Sequence, residues 1–454
     1  MRSEKTTNQT GSGRPRVWLI PVVGLAFAMC SLLCLNACNT TTHTVSSAAT
    51  PGYILVAPEG STSTYLMNKT NDSVVKTWTA ADGTMPGMAV YLMPNGCLLR
   101  AEALRPRSKP AVYGNCGFPG GRVVLYNWNG TPIWHYTINT NTEQQTHDIF
   151  PMANGHVLVD VWEWITGEQI KNAGRRNFQG AGFWSAAVWE LQPDTTNGKD
   201  TAKVVWKWHF WDHIDSTATS PYLLNVFDTG TSSDGPSVWI HMNAVTYNEQ
   251  LHQIIVSSRN LNEFYIIERT DTLGQSAGHT GGRYGHGGDF LYRWGNPAAY
   301  GVDSPQHLFG QHSPYWLDSA GTQIMVNNDG FKRTPYDTTT ANILIVPCVN
   351  GVYSPSAASG YLPANAFSPL DYQAPDTLTS TFEGSSQLLP NGNLLIDAAV
   401  PDSIPGAAVF YEVNPVSKQI LWDYHVPTGA FRAHLYSTGY VDSIFNAQPA
   451  PKAK

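Results

Sequence analysis

Three segments of the chain set a histidine seven residues ahead of a turn: THDIFPMANG with His147, IHMNAVTYNE with His241 and QHSPYWLDSAG with His312. Two more share the frame without it, GMAVYLMPNG with Met88 and EGSSQLLPNG with Gly384 in the equivalent place. A side chain that every copy needed for packing would recur in all five. One present in three marks a site built on a repeated scaffold.

The repeat is a β unit. Aromatic pairs two residues apart close most copies, as in Trp134 with Tyr136, Trp206 with Trp208, Tyr292 with Trp294 and Trp422 with Tyr424, while Trp78 and Tyr372 mark weaker ones. Period-2 spacing, β-branched and aromatic enrichment, and turns at Asn95-Gly96, Asn154-Gly155 and Asn391-Gly392 argue strands, and no long segment carries a helical period. Each unit therefore reads as four strands, which is a propeller blade. The first blade offers only three strands, and the chain ends on a lone candidate, FRAHLYSTGY. The spacing thus predicts an all-β, six-bladed β-propeller closed by pairing of its N- and C-terminal strands, which leaves no free inner edge. The expected organisation is a leader over 1–38, a flexible tether over 39–52, the propeller over 53–441 and a tail over 442–454.

Charged residues make up only 13% of the chain against about 25% in ordinary soluble domains. The net charge is −7 with no basic stripe in the folded part, which excludes nucleic acid as a partner. At the N-terminus Arg2, Lys5, Arg14 and Arg16 precede an apolar run from Val17 to Leu35 and the sequence Leu35-Asn36-Ala37-Cys38. That pattern resembles a lipoprotein signal peptide, with Cys38 the lipidated residue; a lipid-anchored protein on the periplasmic face of a bacterial membrane is expected. Cys97, Cys116 and Cys348 remain in the mature part, where Cys97 and Cys116 could close a short loop.

In a propeller the start of each innermost strand and the loop after the second strand lie at one end, so the three histidines should meet what those loops carry. The loops supply Arg259, then Asn328, Asp329, Lys332 and Arg333, and also Trp162 with Glu163. Imidazole serves as nucleophile, proton carrier or donor, and guanidinium is a planar fork for an oxyanion. Together they suit transfer of an anionic group, with no cofactor required. His135, His156, His209, His213, His252 and His425 read instead as satisfied polar residues.

These segments, with SSRN, AGHTGGRYGHGGDFLYRWGNP, LFGQH and NNDG, resemble the bacterial arylsulfate sulfotransferase family. The resemblance implies a six-bladed, commonly periplasmic propeller that moves a sulfuryl group from a phenolic sulfate ester to a phenol acceptor through a sulfohistidine, without a nucleotide donor. It implies sulfuryl binding by His241 in IHMNAV and by His312 in FGQHSPYW. The family's sulfate-binding arginine directly follows an Asp-Gly, whereas here Phe331 and Lys332 precede Arg333. The blade expected to hold the nucleophilic histidine reads NLLIDAAVPDSIPG and has none, which leaves His147 and His434 as candidates.

Three functions follow. The first is an aryl sulfotransferase using His241, His312 and Arg333, with Arg259, Asn328, Asp329 and Lys332 supporting and His147 as nucleophile or general base. The second is a non-catalytic, lipid-tethered propeller binding sulfated or phenolic ligands. The third, zinc on the three imidazoles, ranks last, so no metal is assigned. The Gly-rich stretch before Phe290 lies between two strands of a hairpin and is not a nucleotide-phosphate loop; it is expected on the site rim or against a neighbouring blade.

Overall fold

The computed structural model describes residues 46–104, 120–173, 178–196, 200–214, 238–300, 303–335, 337–353, 371–401 and 406–448. The leader, Cys38 and Cys116 lie outside them.

Six four-stranded antiparallel sheets form the blades. Their inner strands are His434–Tyr436, Met85–Leu92, Glu143–Pro151, Met242–Asn248, His312–Trp316 and Ser385–Leu388, here blades 1 to 6. Five of these, from blades 2 to 6, touch one another in sequence around the centre. Blade 1 closes the ring as the repeat count requires: its last-made strand pairs with the first, Tyr436 opposite Tyr53 and His434 opposite Leu55.

The core lies between blades rather than in one central mass. Apolar clusters fill the spaces between successive blades, one joining blades 3 and 4 and another blades 2 and 3. The outer-strand aromatics that mark the repeat belong to this packing. Trp78 Nε1 of blade 1 donates to Asn127 O of blade 2, Trp134 Nε1 of blade 2 to Thr201 O of blade 3, and Trp206 Nε1 of blade 3 to Thr270 Oγ1 of blade 4. Each ring thus buries a large apolar face and spends its one donor on the next blade.

One feature departs from the sequence reading. Residues 438–447 form a helix, Thr438–Ala447, whose Val441 and Ile444 are buried with Trp78 and Leu98 between blades 1 and 2. Ser437 caps it by accepting from Tyr440 N, so the boundary set at 442 cuts through an ordered element; ten residues are too few for a helical period to stand out. Of the two courses expected for the Gly-rich stretch, rim or neighbouring blade, it takes the second: it lies along the outer strand of blade 3, where Trp208 Nε1 donates to Gly288 O and Ser276 Oγ to Lys207 O.

Candidate functional site at the centre of the ring

The histidine frame coincides with an interruption in the inner strands. Pairing slips between Gln145 and Ile149 in blade 3, between Met242 and Ala244 in blade 4 and between His312 and Tyr315 in blade 5. Blade 2 slips likewise between Pro86 and Val90. At the breaks in blades 2, 4 and 5 the backbone enters the left-handed region, with φ 90° at Met88, 50° at His241 and 53° at Ser313, and Gly384 in blade 6, where pairing is unbroken, has φ 102°. A bulge of this kind re-aims a side chain out of the alternation of the strand. In blades 2, 4 and 6 the recurring position itself, Met88, His241 and Gly384, takes this conformation, so there backbone shape rather than one side chain defines it.

His147 and His241 meet there. Their Nε2 atoms lie 3.2 Å apart, so one ring donates to the other. Trp162 packs over both, its ring centroid 4.9 Å from that of His241 and 5.6 Å from that of His147, and its Nε1 donates to Met242 O. Its neighbour Glu163 points to the other face of the strand and pairs with His209 at 2.6 Å, so it does not join the histidines. Burial, followed by the charges of His241, His312 and Arg259, holds His147 well below the ordinary imidazole value.

His312 opens the inner strand of blade 5, with Nδ1 2.7 Å from Asp329 Oδ2. Burial and the Arg259 guanidinium take the ring down to about 3. Burial raises the Asp329 carboxyl well above its usual range, against the pull of Arg259. With the carboxyl protonated and the ring neutral, Asp329 O–H donates to Nδ1 and the ring's own hydrogen stays on Nε2, which makes His312 a hydrogen-bond donor. Asn327 Nδ2 steadies Asp329 by donating to Oδ1 at 2.9 Å.

Arg259 is the cation of this centre. Its backbone N donates to His241 O at 3.0 Å, and its guanidinium lies 4.6 Å from the Phe331 ring centroid and 4.9 Å from that of Phe382. Phe331, whose presence separates Arg333 from Asp-Gly, is thus a platform for a different arginine. Arg333 stands farther out, over the Phe309 ring at 5.1 Å, with Nη2 3.5 Å from Thr340 Oγ1. Lys332 is exposed beside Phe331. Asn328 turns to the opposite side of its strand: Oδ1 accepts from Phe309 N, and Nδ2 donates to His307 O. It holds the 307–309 segment rather than facing the histidines.

The segment read only as a closing strand supplies two central residues. Phe431 lies 6.2 Å from His147 and 6.1 Å from His312, ring to ring. Arg432 donates to Tyr91 Oη at 2.7 Å, to Asp148 at 2.9 and 3.2 Å and to Ser313 Oγ at 3.3 Å, joining blades 2, 3 and 5. Aligning FRAHLYSTGY to the histidine frame would have found them, because blade 1 must fill its own inner position. Nearer the far ends of the inner strands, Phe150, Tyr315, Trp316 and Arg432 line a cavity of about 560 Å³. His147, His241 and His312 do not line it, and the convergence of imidazoles and a buried guanidinium makes the histidine end the candidate site.

Of the histidines read as satisfied polar residues, His156 pairs with Glu190, His252 with Tyr247 Oη, and His135 and His425 with nearby aspartates. Among the described residues, the imidazole trio does not gather its ligand atoms at metal spacing; one other cluster does, at the outer edge of blade 3.

Fold and centre define a six-bladed propeller with a buried imidazole and guanidinium site. The family model for arylsulfotransferase (ASST) matches residues 109–403, about two thirds of the chain, and the chain belongs to that family. No curated protein matches it. Similar solved structures include a protein of unknown function from Bacteroides caccae, at 12% identity and TM-score 0.42, covering 85% of this chain and 98% of that one. Another is the periplasmic gluconolactonase of Pseudomonas aeruginosa, at 11% identity and TM-score 0.41, covering 86% and 99%. Likeness at this level carries no argument about function.

Proposed function

We propose that the chain transfers a sulfuryl group from a phenolic sulfate ester to a phenol acceptor, using histidine chemistry at the axial centre and no nucleotide donor. The observation that carries this reading is the contact between His147 and His241 beside Arg259 and His312. The transferred group is an anion whose equatorial oxygens gather charge, and fixed cationic and N–H donors stabilise it without reorganising. Arg259, His241 and His312 are the donors.

His147 is the nucleophile in this reading. Its depressed basicity keeps a nitrogen lone pair available at neutral pH. Attack on sulfur forms an N–S bond and breaks the S–O bond to the donor; the departing phenolate takes a proton from solvent. The His241 N–H that met His147 at rest turns to a sulfuryl oxygen. A phenolate acceptor then attacks sulfur, the N–S bond breaks and the imidazole is restored.

A second reading, a propeller that binds aryl sulfates without turnover, is favoured by blade 6. The stretch NLLIDAAVPDSIPG, where the resemblance expects an imidazole after the second strand, has none, and its strand Leu394–Ala398 carries Asp397, a buried carboxyl raised by burial and by Glu59. Incubation with an aryl sulfate and a phenol separates the two: acceptor-dependent release of the donor phenol supports transfer. Calorimetric binding with no release across several donors leaves only the binding module.

We also propose that the protein is exported, lipidated at Cys38 and held at the periplasmic face of a membrane. Metabolic labelling with a fatty acid tests this, since Cys38→Ser must abolish the label.

A further inference from the structure

At the outer edge of blade 3, away from the central histidines, His213, His279 and Asp289 bring one ligand atom each to within 4.8 Å of one another. The contacts are specific. His213 Nδ1 and His279 Nδ1 each lie 2.8 Å from the same Asp289 oxygen, Oδ1. His213 Nε2 lies 2.8 Å from Ser276 O. A carbonyl only accepts, so Nε2 carries the hydrogen and Nδ1 of a neutral ring presents a lone pair to the carboxylate oxygen.

Two lone pairs at that distance repel unless a proton or a metal ion lies between them. Fixing a ring through its far N–H on a carbonyl is also how metal-binding histidines are oriented. The surroundings hold this arrangement. His213 is fully buried and stacks on Trp208 with an interplanar angle of 2°. A Cβ at Gly288 would come within 2.0 Å of Ser276 O and 2.6 Å of His213 Nε2, so only glycine admits the approach.

We infer that His213, His279 and Asp289 form a zinc site that fastens the Gly-rich loop of blade 4 to the outer edge of blade 3. Two imidazoles and a carboxylate are a borderline donor set suited to zinc. Tetrahedral bonds of about 2.0–2.2 Å place ligand atoms about 3.4 Å apart, which needs the 2.8 Å contacts to open by roughly half an ångström. His279, whose side chain is 39% exposed, and Asp289 both stand on the loop that carries left-handed glycines at 281, 282, 285 and 287, so both contacts can open against the fixed His213. Its exposure leaves the fourth position to water. The ligands come from two blades, so the ion acts as an inter-blade clasp, distinct from the sulfuryl chemistry at the centre.

The test uses the full chain, stripped with a chelator, dialysed and titrated with zinc chloride while bound metal and the thermal midpoint are followed. One zinc per chain and a raised midpoint are expected. His279→Ala, a partly exposed position whose loss leaves the core intact, must weaken binding at least about tenfold and remove the thermal gain. His286→Ala, in the same loop but outside the cluster, must behave as the parent chain does. Failure of the parent chain to take up zinc overturns the inference and leaves Asp289 a proton-sharing bridge between two rings. Uptake that survives His279→Ala overturns it equally, because the ion then sits elsewhere, including at the central histidines.

Discussion

Arg432 and Asp148 face each other across the centre of the ring, Nη2 to Oδ2 at 2.9 Å, with the Asp148 side chain fully buried and that of Arg432 11% exposed. The pair joins the segment entering the last strand to the inner strand of blade 3, beside His147. Arg432→Met leaves a carboxylate buried without its charge partner, a defect that typically costs about 3–5 kcal/mol. Denaturant unfolding is the measurement, and a loss below about 1 kcal/mol would show that the pair does not hold the ring.

The two arginines near the site separate by geometry. Arg259 acts on His147, His312 and Asp329, whereas Arg333 acts on Asp329 alone of these and bonds Thr340 Oγ1 at 3.5 Å. Arg259→Gln is expected to lower kcat by about 10² to 10³, the usual loss for one oxyanion donor, and His241→Gln by a similar factor. Arg333→Gln should lower it less than about tenfold. Equal losses for the two arginines would reverse the assignment.

The pH response follows from His147. Its folded-state value lies below the unfolded one, so the unfolded chain takes up a proton near about 6.5 while the folded chain takes it up only at lower pH. The unfolded state then binds more protons in the window below about 6.5, and stability falls as pH drops through it, with no such loss above. Unfolding midpoints between pH 7 and 5 should slope less for His147→Gln than for the parent chain. The same shift places the acid limb of kcat/KM below about 6.5; a limb at or above that value argues against His147 as the attacking base.

Phe331→Ala removes one of the two rings that flank Arg259. A partly desolvated cation–π contact contributes about 1 kcal/mol, so KM for an aryl sulfate should rise about fivefold with a smaller change in kcat. An unchanged KM would mean that Phe382 alone orients the guanidinium.

Much of this was legible in the sequence because repetition amplifies weak local signals. The Trp pairs, the Asn-Gly turns and the unpaired strand at each end sufficed for six closed blades. Period alone also brought His147, His241 and His312 together. What period cannot convey is which face of a strand a residue takes near a bulge. Asn328 and Glu163 were grouped with the site because their loops reach it, yet alternation turns both away. Arg432 and Phe431 were missed for the opposite reason: their segment had been assigned the single task of closure. The helix at 438–447 depends on contacts with other blades, which no local pattern reports, whereas for the Gly-rich loop the sequence left rim and neighbouring blade both open and contacts with blade 3 decide between them.

Closure of blade 1 by residues at both chain ends has a consequence for biosynthesis. A chain arrested anywhere before residue 431 lacks the partner strand of Tyr53–Val56 and also Phe431 and Arg432 at the centre. Partial products therefore carry neither a sealed inner edge nor an assembled site. The proposed chemistry thus waits until the closing segment has been made, so the topology ties assembly of the candidate centre to closure of the ring.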